Sequence, residues 1–525
     1  MNKPQIDYDL LIVGGGINGA GIAADAAGRG LKVLLCEKSD LGAATSWAST
    51  KLIHGGLRYL ENYEFSLVRK SLQERELLAA AAPHLIRPLA IQIPQLPHSR
   101  NAILIRTGLF LYDFLAQRKL FKSSRAIRFP ADSPLNPAIR HGFEYWDGFA
   151  DDSRLVVANA LQARQHGADI MTRTECVQME PDAQGWQLTL RSSPINTQTK
   201  KLHERPVTDS RKIRCRVVVN AAGPWVNTLL QKTHREQSAI PMRLVKGSHI
   251  VIPRLYSGDH AYLLQHHDGR VIFVIPYLGK FTLVGTTEQE FTDDLDDVRI
   301  STPEIKYLLA IINLYFRTSV MHSEVIHTFA GVRPLIEELG ESATKVSRDY
   351  QLKLDKLPQP LLTIYGGKIT TYRLLAEEAV NQLAHLFPDC GPAWTRSAKL
   401  PGGNFDVVEN LFQEMVRRHA WLGSELITRW LRSYGTRSYD IVGQADNLAD
   451  LGQHFGHSLY AREVDFLCQQ EWARTADDIL WRRSKLGYLF NDAETAMLAR
   501  YLQQATQQTA PQTAPQTTPQ QSKHQ

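Results

Sequence analysis

The chain opens on a strand, a tight turn and a helix that together leave it few folds. Residues 10–13 are a short apolar run, Gly14, Gly16 and Gly19 follow as G-x-G-x-x-G, and residues 20–27 are rich in alanine. Arg29-Gly30 ends that helix with glycine at a capping position, and residues 31–36 read as a second strand that finishes at Glu37. Such a βαβ unit predicts a parallel sheet and an α/β fold. Gly14 permits the tight turn, Gly16 lets backbone approach a pyrophosphate, and Gly19 packs helix against strand, with the helix N-terminus facing the phosphates. Glu37 would accept the hydrogen bonds of an adenosine ribose, and an acid there disfavours a 2′-phosphate.

Further along, residues 153–167 predict a helix capped by Asp151-Asp152, and a β-branched strand runs into Asn220 and Gly223. From residue 242 the pattern becomes antiparallel, in LVKGSHIVI, RVIFVIPY and FTLVGTTE. FAGVRP (329–334) and SRDY (347–350) read as insertions between strands, and LLTIY (361–365) is a strand running into a Gly366-Gly367 turn and a helix. After residue 400 the composition is helical. The fold class expected is α/β: a discontinuous Rossmann-like domain (1–90, 145–240 and 330–400), an inserted antiparallel β-rich substrate domain (91–144 and 241–329), and a helical C-terminal domain (401–503). The QTAP-repeating tail, 504–525, is expected to be disordered. Three separated glycine-bearing contacts, at 14–19, 220–223 and 366–368, suit a long extended dinucleotide, which favours FAD over NAD. Lys368 and the start of its helix would sit by the flavin N1/C2 carbonyl, where negative charge develops on reduction.

Five cysteines, Cys36, Cys176, Cys215, Cys390 and Cys468, have neither the even count nor the short spacings of a disulfide framework or zinc site, so reduced thiols and no metal are expected. The first strand begins too early for a cleavable leader, and no apolar run reaches the ~18 residues of a membrane span. Any membrane association would be peripheral. The formal charge of +6 is local, because residues 100–128 carry Arg100, Arg106, Arg118, Lys119, Lys122, Arg125 and Arg128 against Asp113 alone. With the apolar stretch 103–114 between them, these bases suit an anionic membrane surface, and Trp481, Arg482, Arg483, Lys485, Tyr488 and Phe490 form a second basic aromatic group of the same kind. The chain has no nucleic-acid-binding module to support a nucleic-acid partner.

VGGGINGAGIAADAAGRG (13–30), KLIHGGLRYLE (51–61), KGSHIV (246–251), GVRPL (331–335) and GGKITTYRLLAE (366–377) together resemble the FAD-dependent, respiratory glycerol-3-phosphate dehydrogenases. The likeness continues at LPGG (400–403) and DILWRRSKLG (478–487). It implies a flavoprotein that oxidises the C2 hydroxyl of sn-glycerol 3-phosphate to dihydroxyacetone phosphate and passes electrons to a membrane quinone. It would lie in the cytoplasm, on the inner face of the membrane, with a homodimer expected from the family alone. FAD contacts are implied at Gly14, Gly16, Gly19, Glu37, Thr45, Ser46, Ser49, Val177, Gly223, Gly367, Lys368 and Thr370. Trp47 stands in the TSWAST loop where the family usually has a small residue.

Arginine binds phosphate oxygens in pairs through its planar fork, and Arg58, Arg333 and Arg348 match the family's substrate-contacting positions, with Tyr59 and Lys368 beside them. Histidine suits the base for the hydroxyl. His249 is preferred and His54 is assigned a positioning role, with Arg333, Lys368 or water as the alternatives. Two rivals stay open: a glycerol-3-phosphate oxidase that uses oxygen and releases hydrogen peroxide, and a non-catalytic flavin-binding regulatory protein.

Overall fold

The computed structural model describes residues 5–96, 101–192, 209–233, 235–266, 268–337 and 349–509. The N-terminal unit forms as its sequence dictates: β1 (Tyr8–Val13), α1 (Ile17–Gly28) and β2 (Val33–Cys36). Then come β3 (Leu52–Ile53), α2 (Phe65–Ala81), β4 (Ile86–Pro94), α3 (Ala102–Phe114), β5 (Arg125–Arg128) and β6 (His141–Ala150). The chain continues through α4 (Asp152–Gln165), β7 (Asp169–Met171), β8 (Thr174–Asp182), β9 (Gly185–Ser192), β10 (Asp209–Asn220) and α5 (Val226–Gln231). The middle contains β11 (Met242–Pro253), β12 (Ala261–Gln265), β13 (Val271–Tyr277), β14 (Phe281–Gly285), β15 (Gln289–Glu290), α6 (Thr302–Tyr315) and β16 (His327–Ile336). After β17 (Gln351–Asp355), β18 (Leu361–Tyr365) and α7 (Tyr372–Ala384), the last part is mainly helical: α8 (Val408–Arg418), α9 (Ser424–Tyr434), α10 (Ser438–Val442), α11 (Ala461–Gln470) and α12 (Asp492–Thr509).

Two sheets carry the site. In the first, the order β18-β10-β1-β2-β7 is all parallel, with β17 antiparallel at one edge and the β8–β9 hairpin attached to β10. Asn220, Val13 and Cys36 lie in register at the carboxyl ends of three neighbouring strands, the edge where open parallel sheets bind ligands. Helix α1 is buried between α4 and α7, which its small side chains permit: a methyl on Gly21 would stand 2.8 Å from the Tyr372 ring.

The second sheet runs β15-β11-β14-β13-β12-β4-β6-β3, with β16 on β11 and β5 on β6. It corrects the expected domain division. The cuts at 90, 144 and 330 fall inside β4, β6 and β16, all of which belong to this sheet. FAGVRP is no insertion, because β16 pairs with β11 from Ile336↔Met242 to His327↔Val251. Gly331 and Pro334 hide the strand pattern, and Pro334 is tolerated because β16 pairs on one side only. Glycines 366 and 367 both adopt positive φ, and α7 starts at Tyr372 after a short 3₁₀ turn, so Lys368 lies just ahead of the helical segment.

The C-terminal helices close over their own core, which includes Trp430, Tyr434, Phe455 and Leu467. Helix α12 extends to Thr509, so residues 504–509 are not part of a disordered tail, and the rest of that expected tail lies outside the described residues. Trp481, Arg482, Arg483, Lys485 and Tyr488 do not form a lipid-facing patch. Arg483 is wholly buried on Asp40 (2.9 Å), Arg482 also meets Asp40 (2.6 Å), Lys485 pairs with Asp151 (2.9 Å), and Trp481 stacks on His327 (4.3 Å). Glu471, ringed by Arg154, Arg437 and Arg483, adds to this seam. Burial alone would raise the Glu471 carboxyl, but the three arginines hold it at about 2. These cations dock the C-terminal helices onto the loop after β2 and the start of α4; a basic run with aromatics reads the same in sequence whether it faces lipid or acids.

Candidate active site

Two cavities, of about 640 and 530 Å³, share walls at Gly16, Thr45, Ser46, Ala221 and Gly223, making one long cleft along the carboxyl edge of the parallel sheet. The glycine turn sits at its waist. A methyl on Gly14 would lie 2.5 Å from the Ala221 carbonyl oxygen, and one on Gly19 would collide with the carbonyl oxygen of Gly14. Gly14 also holds φ +113°, which side-chain-bearing residues rarely adopt. Ser46 Oγ accepts from the Ile17 amide (3.0 Å) at the start of α1, and Asn18 donates to the Gly366 carbonyl (3.3 Å) while its Oδ1 is buried without a hydrogen-bond partner.

The smaller cavity suits an adenosine. Glu37 lines it, accepting from the amides of Gly15 (2.7 Å) and Ser39 (2.7 Å), and each of its oxygens keeps a lone pair for a ribose hydroxyl. Burial pushes the Glu37 carboxyl up against the pull of those two amides. Thr174, Glu175 and Cys176 form the wall on β8. Val177 lies one residue beyond them, unpaired where the register slips between Cys176 and Gln178, so it is not part of the lining. Lys38 crosses the top, bonded to Asp296 (2.9 Å) and over the Trp225 ring (3.8 Å). Trp47 is accommodated against Phe329, with ring centroids 5.6 Å apart.

The larger cavity gathers His54, Arg58, Tyr59, His249, Arg333 and Lys368 from four separate stretches of sequence. Gly367 and Thr370 line it too; the Thr370 hydroxyl accepts from the His54 amide (3.2 Å), tying the HGG turn to the turn before α7. Lys368 Nζ lies 4.6 Å from the Tyr59 ring. Ser49 lines the cavity while donating to Asp152 (2.7 Å), and Thr45 donates to the Val332 carbonyl (2.6 Å). Arg348 lies outside the described residues.

His249, on β11, is 1% exposed, stacks on Phe329 (4.9 Å) and shares a hydrogen bond between Nε2 and the Thr50 hydroxyl (3.0 Å). Burial, with Lys51 and Arg333 nearby, pushes its imidazole well below the usual histidine range, which favours the uncharged ring.

Sequence reasoning missed Glu288, Thr286 and Arg270. Arg333 donates to Thr286 Oγ1 (2.9 Å) and reaches Glu288 (3.5 Å), whose other oxygen lies 3.8 Å from Arg58. Two guanidinium groups thus meet one carboxylate inside the cavity. Arg270 enters from the turn between β12 and β13, braced by Asp268 (2.5 Å) and the Tyr307 ring (4.1 Å). None of the three carries a local motif; the pairing of β11 with β14 and β16 brings the first two beside Arg333.

Residues 9–349 match the family of FAD dependent oxidoreductases, and residues 393–510 match the C-terminal domain of alpha-glycerophosphate oxidase. A glycerol-3-phosphate dehydrogenase of Pseudomonas aeruginosa is 50% identical over 94% of this chain and 95% of its own. A D-erythritol 1-phosphate dehydrogenase of Brucella abortus is 44% identical over 96% and 99%. Among solved structures, the glycerol-3-phosphate dehydrogenase of Bacillus halodurans complexed with FAD superposes with a TM-score of 0.71 at 25% identity, covering 95% of this chain and 94% of that one. The long cleft fits FAD, its glycine waist leaving room for a pyrophosphate and Glu37 placed for the ribose, and the cofactor is FAD. With residues 9–349 and 393–510 matched to the two family models and a glycerol-3-phosphate dehydrogenase 50% identical over 94% of this chain, the chain belongs to the FAD-dependent glycerol-3-phosphate dehydrogenase family.

Proposed function

We propose that this enzyme oxidises sn-glycerol 3-phosphate to dihydroxyacetone phosphate and delivers the electrons to a quinone at a membrane surface. The observation that supports the substrate reading is that three arginines, Arg58, Arg270 and Arg333, line one cavity against the single Glu288 carboxylate, an excess of positive charge suited to a phosphate. Arg58 and Arg333 bind the phosphate, with Arg270 at the rim. His249 takes the proton of the C2 hydroxyl, and His54 holds the turn that orients the sugar chain. FAD, when bound, accepts the hydride from C2. Lys368 would offset negative charge at the flavin edge.

The acceptor reading rests on the surface around the same cavity. Helix α3 exposes Ile103 (75%), Leu104, Phe110 and Phe114 (74%), and Tyr63 (81%) and Phe65 stand beside it at the start of α2. Leu104, Leu111, Tyr63 and Phe65 also border the cavity. An exposed apolar face of this kind favours lipid, and the bases at 106, 119 and 122 stand on the surface beside it. No helix among the described residues is long and apolar enough to cross a membrane.

Anaerobic addition of glycerol 3-phosphate to the holoenzyme tests the reading. The flavin absorbance should bleach, and a soluble quinone should restore it faster than oxygen does. A flavin that stays oxidised would leave a non-catalytic flavoprotein; hydrogen peroxide formed in step with substrate would make the enzyme an oxidase. D-erythritol 1-phosphate, tried in parallel, should bleach the flavin more slowly.

A further inference from the structure

Lys51 is a buried cation, 2% exposed, that neither the cofactor nor the substrate reading uses. Its ammonium donates to both oxygens of Asp152 (3.0 and 2.8 Å) and to the Trp47 carbonyl (2.9 Å). Asp152 also accepts from the Ser49 hydroxyl (2.7 Å), at the first turn of α4 where the helix dipole favours an anion. Lys485, from the C-terminal helices, secures that turn through Ser153 (3.0 Å) and Asp151 (2.9 Å). Between Ser49 and Lys51 stands Thr50, whose hydroxyl meets His249 Nε2 (3.0 Å). Lys51 itself keeps φ +60°, a conformation that side-chain-bearing residues rarely hold unless the surroundings impose it. Its ammonium lies 5.1 Å from the Phe329 ring on which His249 stacks.

We propose that Lys51, gripped by Asp152, is a positioning residue for His249: it sets the backbone turn that presents Thr50 to the imidazole and supplies a fixed positive charge beside it. This rests on the reading of His249 as the base. The charged groups facing His249 are Lys51 from the loop before β3 and Arg333 from β16; Asp152 faces Lys51, and β14 contributes Gly285 and no charge. Burial, Lys51 and Arg333 all lower the imidazole, so the base stays neutral over the working range. Removing the Lys51 charge should raise the pH at which His249 protonates. Removing the Asp152 charge, which leaves Lys51 uncompensated, should lower it. A merely structural pair would weaken the enzyme in both cases without moving that pH in opposite directions.

The test is the rate of anaerobic flavin reduction by glycerol 3-phosphate, measured on the FAD-loaded enzyme across pH. Lys51→Met should bring the acid limb up by about one pH unit, Asp152→Asn should move it down, and Lys51→Arg should stay near the parent. His249→Asn should abolish the limb along with most of the rate. An unmoved limb in Lys51→Met, or equal displacement by Lys51→Met and Asp152→Asn, overturns the proposal. If His249→Asn keeps the parental rate and profile, the base assignment itself fails. Should Lys51→Met not fold with flavin, the displacement in Asp152→Asn and its absence in Lys51→Arg decide the matter.

Discussion

Replacement of Arg333 by Gln examines the substrate reading where it is most exposed to failure. Arg333 is side-chain buried to about four-fifths, with 22% exposed, and its two terminal nitrogens point at Thr286 and Glu288 inside the cavity. A hydrogen bond from a charged donor contributes about 1.5–3 kcal/mol. Gln removes the charge and the forked geometry while Arg58 remains, so the loss taken here is about 3 kcal/mol. At ~1.4 kcal/mol per factor of ten, kcat/KM for glycerol 3-phosphate should fall by about 100-fold. Because Arg333 also bears on His249, the comparison belongs on the pH plateau. The assay is steady-state oxidation with an artificial electron acceptor, run beside glycerol, which has the same C2 hydroxyl and no phosphate. Glycerol turnover should be slow in the parent and change little on substitution. An equal fall for both substrates would show that Arg333 does not read the phosphate, and the assignment of the anion site would be wrong.

Gly19→Ala should yield protein without FAD, because its methyl collides with the Gly14 carbonyl; flavin-to-protein absorbance checks it. Asp40→Asn leaves Arg482 and Arg483 short of an anion in the interdomain seam, which should cost about 3–5 kcal/mol and appear as faster proteolysis between residues 385 and 407 than in the parent. Glu471 has a folded pKa depressed from 4.5 to about 2, so its contribution to the seam is complete above the unfolded value and is lost as pH falls through the folded one. The thermal unfolding temperature should therefore fall between pH 4.5 and 2 by less in Glu471→Gln than in the parent. Ile103→Asp with Phe114→Asp should abolish co-sedimentation with anionic vesicles while dye-linked turnover of soluble enzyme persists; unchanged sedimentation would remove α3 from the membrane reading.

Local chemistry made the nucleotide half legible. The turn at Gly14 to Gly19 needs only neighbours a few residues apart, so strand, glycine spacing and helix could be read from the chain alone, as could Glu37 at the end of β2 and the cap at Asp151. Arg58 and Arg333 were named through motifs shared with a known family, His249 and Lys368 from residue type and setting, and the cavity brings all four together. What pairing across the sheet decides was not legible. β16 looked like an insertion because Gly331 and Pro334 interrupt its pattern, yet ten consecutive pairs with β11 place Arg333 opposite Val245 and beside Glu288. The basic aromatic run at 481–490 carries the composition of a lipid surface, and only the approach of Asp40, Asp151 and Glu471 from other parts of the chain turns it into a buried seam. Residue type and short spacing were enough to place a dinucleotide and to favour FAD over NAD, whereas the reaction was read through the likeness of the motifs to a known family. Which charges face each other was settled only by the fold, because it depends on contacts between residues from tens to hundreds of positions apart.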